Sequence, residues 1–241
     1  MNSFSITDIG KKRKMNQDYV FASDSPVGNL PNLYIVADGM GGHKAGDFAS
    51  RYTVEELVRR IRSDPAPEGR DLLDLTIHRV NYGLYRTAQK RSEYAGCGTT
   101  LVLTYISRGT AHIANVGDSR LYVVGSTIRQ VTVDHSLVEE MVLAGSLDEK
   151  KARTHPEKNV ITRAVGAEHY VDIDYFNCDL RRGDILLMCS DGLTNMVENE
   201  RILEIIRENG SLKEKAEALV REANANGGSD NISVILIDCG I

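Results

Sequence analysis

The stretch Val36-Ala37-Asp38-Gly39-Met40-Gly41-Gly42-His43 most constrains how this chain folds. The apolar run Leu33 to Ala37 carries the backbone as a buried strand and stops on one carboxylate, Asp38. Three glycines within the next four residues let the backbone turn sharply and bring its carbonyls close to a ligand. A carboxylate beside an accessible carbonyl suits a hard cation such as magnesium, manganese or calcium. Taken alone, the same residues read equally well as a tight turn after a strand.

The pattern recurs, and recurrence weakens the plain-turn reading. Ile113-Ala114-Asn115-Val116-Gly117-Asp118 and Ile185 to Asp191-Gly192 also run from apolar residues onto a carboxylate. Asp230-Asn231 opens the apolar run Ile232 to Ile237, and Asp18 precedes the strand-like Tyr19-Val20-Phe21. Five aspartates thus sit at the mouths of predicted strands. If the sheets bring those mouths together, the carboxylates cannot all stay ionised without cations.

Between these points the spacing predicts strands over residues 4–8, 19–23, 33–37, 99–106, 111–116, 121–124, 128–133, 171–176, 185–189 and 232–237. Short turns between neighbours predict antiparallel pairing. Val54, Leu57, Val58 and Ile61 mark one helix, and Leu73, Ile77, Val80, Leu84 and Ala88 a second, by their 3.6-residue period. Residues 136–144 read as a helix stopped by Gly145. Ile202, Ile205 and Ile206 mark another, closed by Gly210. Ser211-Leu212-Lys213-Glu214 is a capping box that opens the last. Residues 146–162 are charged and read as an excursion with little core. There is no repeat, linker or low-complexity segment. The residues alone reach α+β, one domain.

The 34 acidic and 29 basic residues give a net charge of -5, which favours neither nucleic acid nor an anionic membrane. No apolar run approaches the roughly 18 residues of a membrane span, and the N-terminus lacks a signal core. Cys97, Cys178, Cys189 and Cys239 show no C-x-x-C spacing and read as reduced, mostly buried thiols of a cytoplasmic protein.

Seven motifs occur in order: Arg13-Lys14-Met15-Asn16-Gln17-Asp18, Asp38 to His43, Gly98-Thr99-Thr100, Asn115 to Arg120, Asp134-His135-Ser136, Cys189 to Thr194 and Asp230-Asn231. Together they resemble the bacterial metal-dependent Ser/Thr protein phosphatases of the PPM, or type 2C, family, over nearly the whole chain. The resemblance implies one catalytic domain over 1–241, a four-layer α-β-β-α sandwich with two central antiparallel sheets and a flap at about 136–166. It implies that Asp38, with the Gly39 carbonyl, bridges two cations, that Asp191 and Asp230 complete one of them, and that Asp118 with Asp191 offers a third place. An all-oxygen donor set favours Mn2+ or Mg2+ over zinc. The expected reaction is hydrolysis of phosphoserine and phosphothreonine by direct attack of a water that the cations activate. Asp18 is expected to orient that water and Arg13 to bind phosphate in bidentate fashion. Expected partners are phosphoproteins, including a cognate Ser/Thr kinase, with the phosphatase itself a monomer.

Many eukaryotic members carry His at the position of Met40, as a proposed acid for the leaving group. A thioether has no proton to give. His43 is the nearby candidate, although a surface role suits it at least as well, and His135 reads as structural. Other phosphatase chemistries fail on spacing. Position six after Cys97, Cys178 and Cys189 is Leu103, Asp184 and Asn195, so no Cys-x5-Arg exists. Asp172-Ile173-Asp174-Tyr175-Phe176 ends in the wrong residue for an aspartyl-phosphate enzyme, and Asp47 breaks a nucleotide-binding loop after Gly46. The rival from another class is a catalytically silent reader of phosphoproteins.

Overall fold

A computed structural model describes residues 1–42, 44–66 and 68–240. The chain opens with strands β1 (Asn2–Asp8), β2 (Asp18–Ser23) and β3 (Leu33–Met40) and helices α1 (Lys44–Ser63) and α2 (Arg70–Lys90). Strands β4 (Gly98–Thr99), β5 (Leu101–Ser107), β6 (Thr110–Val116), β7 (Arg120–Val124) and β8 (Ile128–Gln130) follow. Then come α3 (Leu137–Leu143), α4 (Glu149–Ala152), β9 (Asp174–Asp179) and β10 (Ile185–Cys189). Helices α5 (Asp191–Thr194), α6 (Asn199–Arg207) and α7 (Leu212–Ala225) precede β11 (Ile232–Asp238).

Two antiparallel sheets form, ordered β1-β11-β10-β7-β8 and β2-β3-β5-β6-β9, with β4 pairing antiparallel to the end of β3. Their facing sides meet through Tyr34, Val36, Val102, Met188 and Ile235. The outer side of the second sheet is covered by α1 and α2 through Leu57, Ile61, Ile77 and Leu84. The outer side of the first is covered by α6 and α7 through Ile202, Ile206, Leu219 and Ala223. The result is the expected four-layer α-β-β-α sandwich. Each fully buried Leu or Ile contributes about 1.5–3 kcal/mol, so three contiguous interiors hold the layers. Ser211 caps α7 by accepting from Glu214 N–H while the Glu214 carboxylate accepts from Ser211 N–H, as the capping box predicts.

Three of the predicted strands are interrupted or cut short. The strand predicted over 99–106 is interrupted at Thr100 although its register against β3 continues through it. There the Asp38 N–H donates to Thr100 Oγ1 (2.9 Å), a side chain standing in for a ladder carbonyl. The same substitution shortens β8, where Leu121 N–H donates to Thr132 Oγ1 (3.1 Å). The strand predicted over 171–176 begins at Asp174 instead. Val171 is buried in the helix-sheet core without being in a strand, so its apolar character marked burial rather than pairing.

Candidate active site

One end of the sandwich gathers the strand mouths. Antiparallel register sets Asp18 directly opposite Asp38 on neighbouring strands. Asp38 is fixed from the other side: its carbonyl accepts from Thr100 N–H (2.8 Å) and Thr99 Oγ1 (2.9 Å). Gly39 donates its N–H to the Gln17 carbonyl (3.0 Å), and a Cβ on Gly39 would collide with the Gly46 carbonyl. A side chain here would therefore push β3 off the first turn of α1. Asp118 follows Gly117, whose φ of 97° belongs to the left-handed region that favours glycine.

Asp191 begins α5, directly after β10, and Asn195 Nδ2 donates to its Oδ2 (2.8 Å). Asp230 precedes β11, accepting from Asn231 N–H (2.8 Å) through Oδ1 and from Arg13 Nη2 (2.6 Å) through Oδ2. Asn231 fastens the loop that carries Arg13. It accepts from Gln17 N–H (2.8 Å) and donates to the carbonyls of Ile9 and Met15.

Asp38, Gly39, Asp118, Asp191, Asp230 and Arg13 line one cavity of about 230 Å³, which Asn159 and Ile161 of the excursion also face. A second cavity of about 260 Å³ shares Asp118 and Asp191. Asp18 lies behind the first, 6% exposed, with Oδ2 accepting from Ser190 Oγ (2.7 Å). A larger concavity, about 700 Å³, lies at the far end of β5 around Tyr105, Ser107 and Tyr175, and contains none of these aspartates. His43 lies outside the described residues. His135 is buried and fully engaged by neighbours.

The carboxylates strain against one another. Burial, then the charges of Asp18, Asp191, Asp118 and Asp230, holds Asp38 well above the usual carboxylate range. Asp118 is raised by burial and then by Asp191 and Asp134. Burial pushes Asp18 up to about 7, with the Ser233 and Ser190 hydroxyls pulling back and Asp191 and Asp230 adding to the rise. Burial and Asp230 push Asp191 up to about 6, against the opposing charge of Arg120. Burial works against the Arg13 charge, but the Asp230 hydrogen bond and the charges of Asp38 and Asp191 more than offset it.

Among the described residues, no group of three or more His, Cys, Asp or Glu forms a ready-made cage for a metal ion. Two of the carboxylates are engaged by Arg13 and Asn195 instead. The donor chemistry nevertheless fits a hard divalent cation. The oxygens are anionic and mutually repelling, and Asp18 Oδ1 and Asp191 Oδ1 are buried with no hydrogen-bond partner. A cation would relieve both features.

A family model described as protein phosphatase 2C matches residues 10–236. The chain belongs to the protein phosphatase 2C family. That family is metal-dependent. Among its relatives, this phosphatase-family chain is 41% identical to the serine/threonine phosphatase stp of Listeria monocytogenes, covering 96% of this chain and 93% of that one. It is 40% identical to the protein phosphatase PhpP of Streptococcus pneumoniae, with 96% and 95% covered. The crystal structure of the serine/threonine phosphatase Stp1 from Staphylococcus aureus superposes with a TM-score of 0.91 at 37% identity, over 97% of this chain and 93% of that one. No helix among the described residues is long and apolar enough to cross a membrane.

Sequence reasoning missed the groups that hold the aspartates. Ser190 and Asn231 lay inside quoted motifs without a role, and Thr100 and Gln17 were motif letters only. Short polar residues flanking each aspartate were the available signal, because buried carboxylates and turning backbones need hydrogen-bond donors.

Proposed function

We propose that this chain is a metal-dependent protein phosphatase that hydrolyses phosphoserine and phosphothreonine monoesters. The observation that carries this is the single cavity onto which Arg13 and four aspartates open. Residues 1–241 act as one catalytic domain, with 136–166 as its flap. Asp38, the Gly39 carbonyl, Asp191 and Asp230 hold two Mn2+ or Mg2+ ions, and Asp118 with Asp191 holds a third. Bound cations supply Lewis acidity and lower the pKa of water toward neutrality.

The chain's own groups do the rest. Arg13, half exposed at the rim, takes two phosphate oxygens in a planar fork. Asp18 is anchored through Oδ2 by Ser190, which leaves Oδ1 to accept a hydrogen bond from the attacking water. Met40 lines the cavity and has no acidic proton, so water protonates the leaving alkoxide. Phosphoserine implies an enzyme that makes it, and a Ser/Thr kinase is the matching partner. The enzyme works as a monomer.

Turnover of a phosphopeptide with manganese, measured with and without chelator, tests this. Turnover should vanish in excess chelator. Full activity there overturns the metal reading, and tight phosphopeptide binding without turnover in manganese favours the silent reader.

A further inference from the structure

The turn that aims Asp118 is held by a residue with no place in the chemistry above. Gly117 N–H donates to His135 Nδ1 (3.0 Å), and His135 N–H donates to the Gly117 carbonyl (3.0 Å). One residue thus grips both polar atoms of the glycine immediately before Asp118. On its other side the ring Nε2 lies 3.1 Å from Asp174 Oδ2 and 3.2 Å from Arg163 Nη1.

These contacts settle the position of the proton. Neutral imidazole has one donor nitrogen and one acceptor nitrogen. Because Nδ1 accepts from Gly117, the proton sits on Nε2 and is donated to Asp174. Arg163 therefore cannot donate to Nε2 and gives its hydrogen to Asp174 Oδ1 (2.9 Å). Burial lowers the pKa of His135 and favours this neutral form.

The same group is stitched to the flap. Thr162 N–H donates to the His135 carbonyl (2.8 Å), and Leu137 N–H donates to Val160 (2.8 Å). Arg163 is the next residue of that returning segment. Two residues further on, Val165 exchanges both backbone bonds with Thr99, whose hydroxyl holds the Asp38 carbonyl. The segment that closes the flap therefore bears on Asp118 through His135, and on Asp38 through Thr99.

We propose that His135, locked as the Nε2–H tautomer by Asp174, is a positioning residue that sets the Gly117–Asp118 backbone for the third cation and couples it to the flap. The proposal rests on reading Asp118 as a cation ligand. A residue bearing on a metal ligand in this way typically changes cation affinity about 10–100-fold when replaced.

The test is a calorimetric manganese titration of the full chain, with Asp118→Ala as reference. His135→Gln reaches toward Asp174 but loses the acceptor at Nδ1. His135→Asn keeps an oxygen near the Nδ1 position. The weakest binding step should weaken about 10–100-fold in His135→Gln and stay near wild type in His135→Asn. Asp174→Ala, at a half-exposed position, keeps the histidine in a folded protein and should weaken the same step. Nitrogen-15 imidazole spectra of the metal-free protein should show protonated Nε2 and bare Nδ1 at neutral pH. In Asp174→Ala a share of Nδ1–H should appear. Loss of the weakest step in Asp118→Ala with no change in His135→Gln overturns the proposal, as does a dominant Nδ1–H tautomer in wild type. No change in either variant instead overturns the assignment of Asp118, and the proposal with it.

Discussion

At the scale of single residues the site is a contest between charges that repel and groups that restrain them. Arg13 is bound to Asp230 at 2.6 Å while remaining half exposed, so it can transfer to a phosphate without desolvation. Arg13→Ala should raise KM for a phosphopeptide and lower kcat/KM about 10–100-fold, as steady-state kinetics will show. A charge-assisted hydrogen bond is worth about 1.5–3 kcal/mol. Arg13→Lys should recover only part of the loss, because an ammonium cannot form the fork. The cysteines behave in the opposite way. Cys97, Cys178, Cys189 and Cys239 are all buried, and burial pushes Cys189 and Cys239 up to about 12. A disulfide-exchange reagent should titrate none of the four in the native protein and all four after denaturation. Fast reaction of any one in the folded state contradicts their inert, structural reading.

At the scale of elements, sheet and helix contribute different parts of the site. Strands deliver aspartates to one end, and short polar side chains then replace ladder bonds at the places where the strands must let go. Thr100→Val would leave the Asp38 N–H without its acceptor and remove the Thr100–Ser119 hydroxyl pair (2.7 Å). Thermal unfolding should register a loss of about 1–3 kcal/mol, with turnover falling as well. Ser211→Ala, at the cap of α7 and outside the cavities that hold the aspartates, should cost about 1 kcal/mol and leave kcat unchanged.

Periodicity made the long helices legible, since Val54 to Ile61 and Leu73 to Ala88 repeat at 3.6 residues and are buried as predicted. The aspartates were legible because each stands at one end of an apolar run. The interruptions at Thr100 and Thr132 were not, because a threonine in a β-branched run looks like any other strand residue until its hydroxyl has a partner. The four-residue α5 was invisible for a different reason. It is shorter than one hydrophobic period, yet it aims Asp191.

At the scale of the whole molecule, the gathered aspartates oppose the fold that gathers them. Carboxyls whose folded pKa lies above the unfolded value bind more protons folded than unfolded, so stability falls as pH rises between the two values. Asp18 at about 7 and Asp191 at about 6 place that fall between about pH 4 and about pH 7. In chelator, the melting temperature should therefore decline from about pH 4 to about pH 7. Saturating manganese should raise it and flatten the slope, since a ligand held only by the native state stabilises it by mass action. A melting temperature that rises with pH in chelator contradicts the raised carboxyls.

The register of β11 has a kinetic consequence. This strand lies between β1 and β10, pairing Asn2 with Asp238 on one side and Ile185 with Asp238 on the other. Until residues 232–238 arrive, β1 has no neighbour in its sheet and Asp230 has no strand to fix it. The slowest contacts to form, those that close the longest loops, are thus the ones that complete the site. A nascent or clipped chain lacking this segment would carry Asp18, Asp38, Asp118 and Asp191 without the strand that fixes Asp230 and joins β1 to β10, so hydrolysis begins only once the fold is whole.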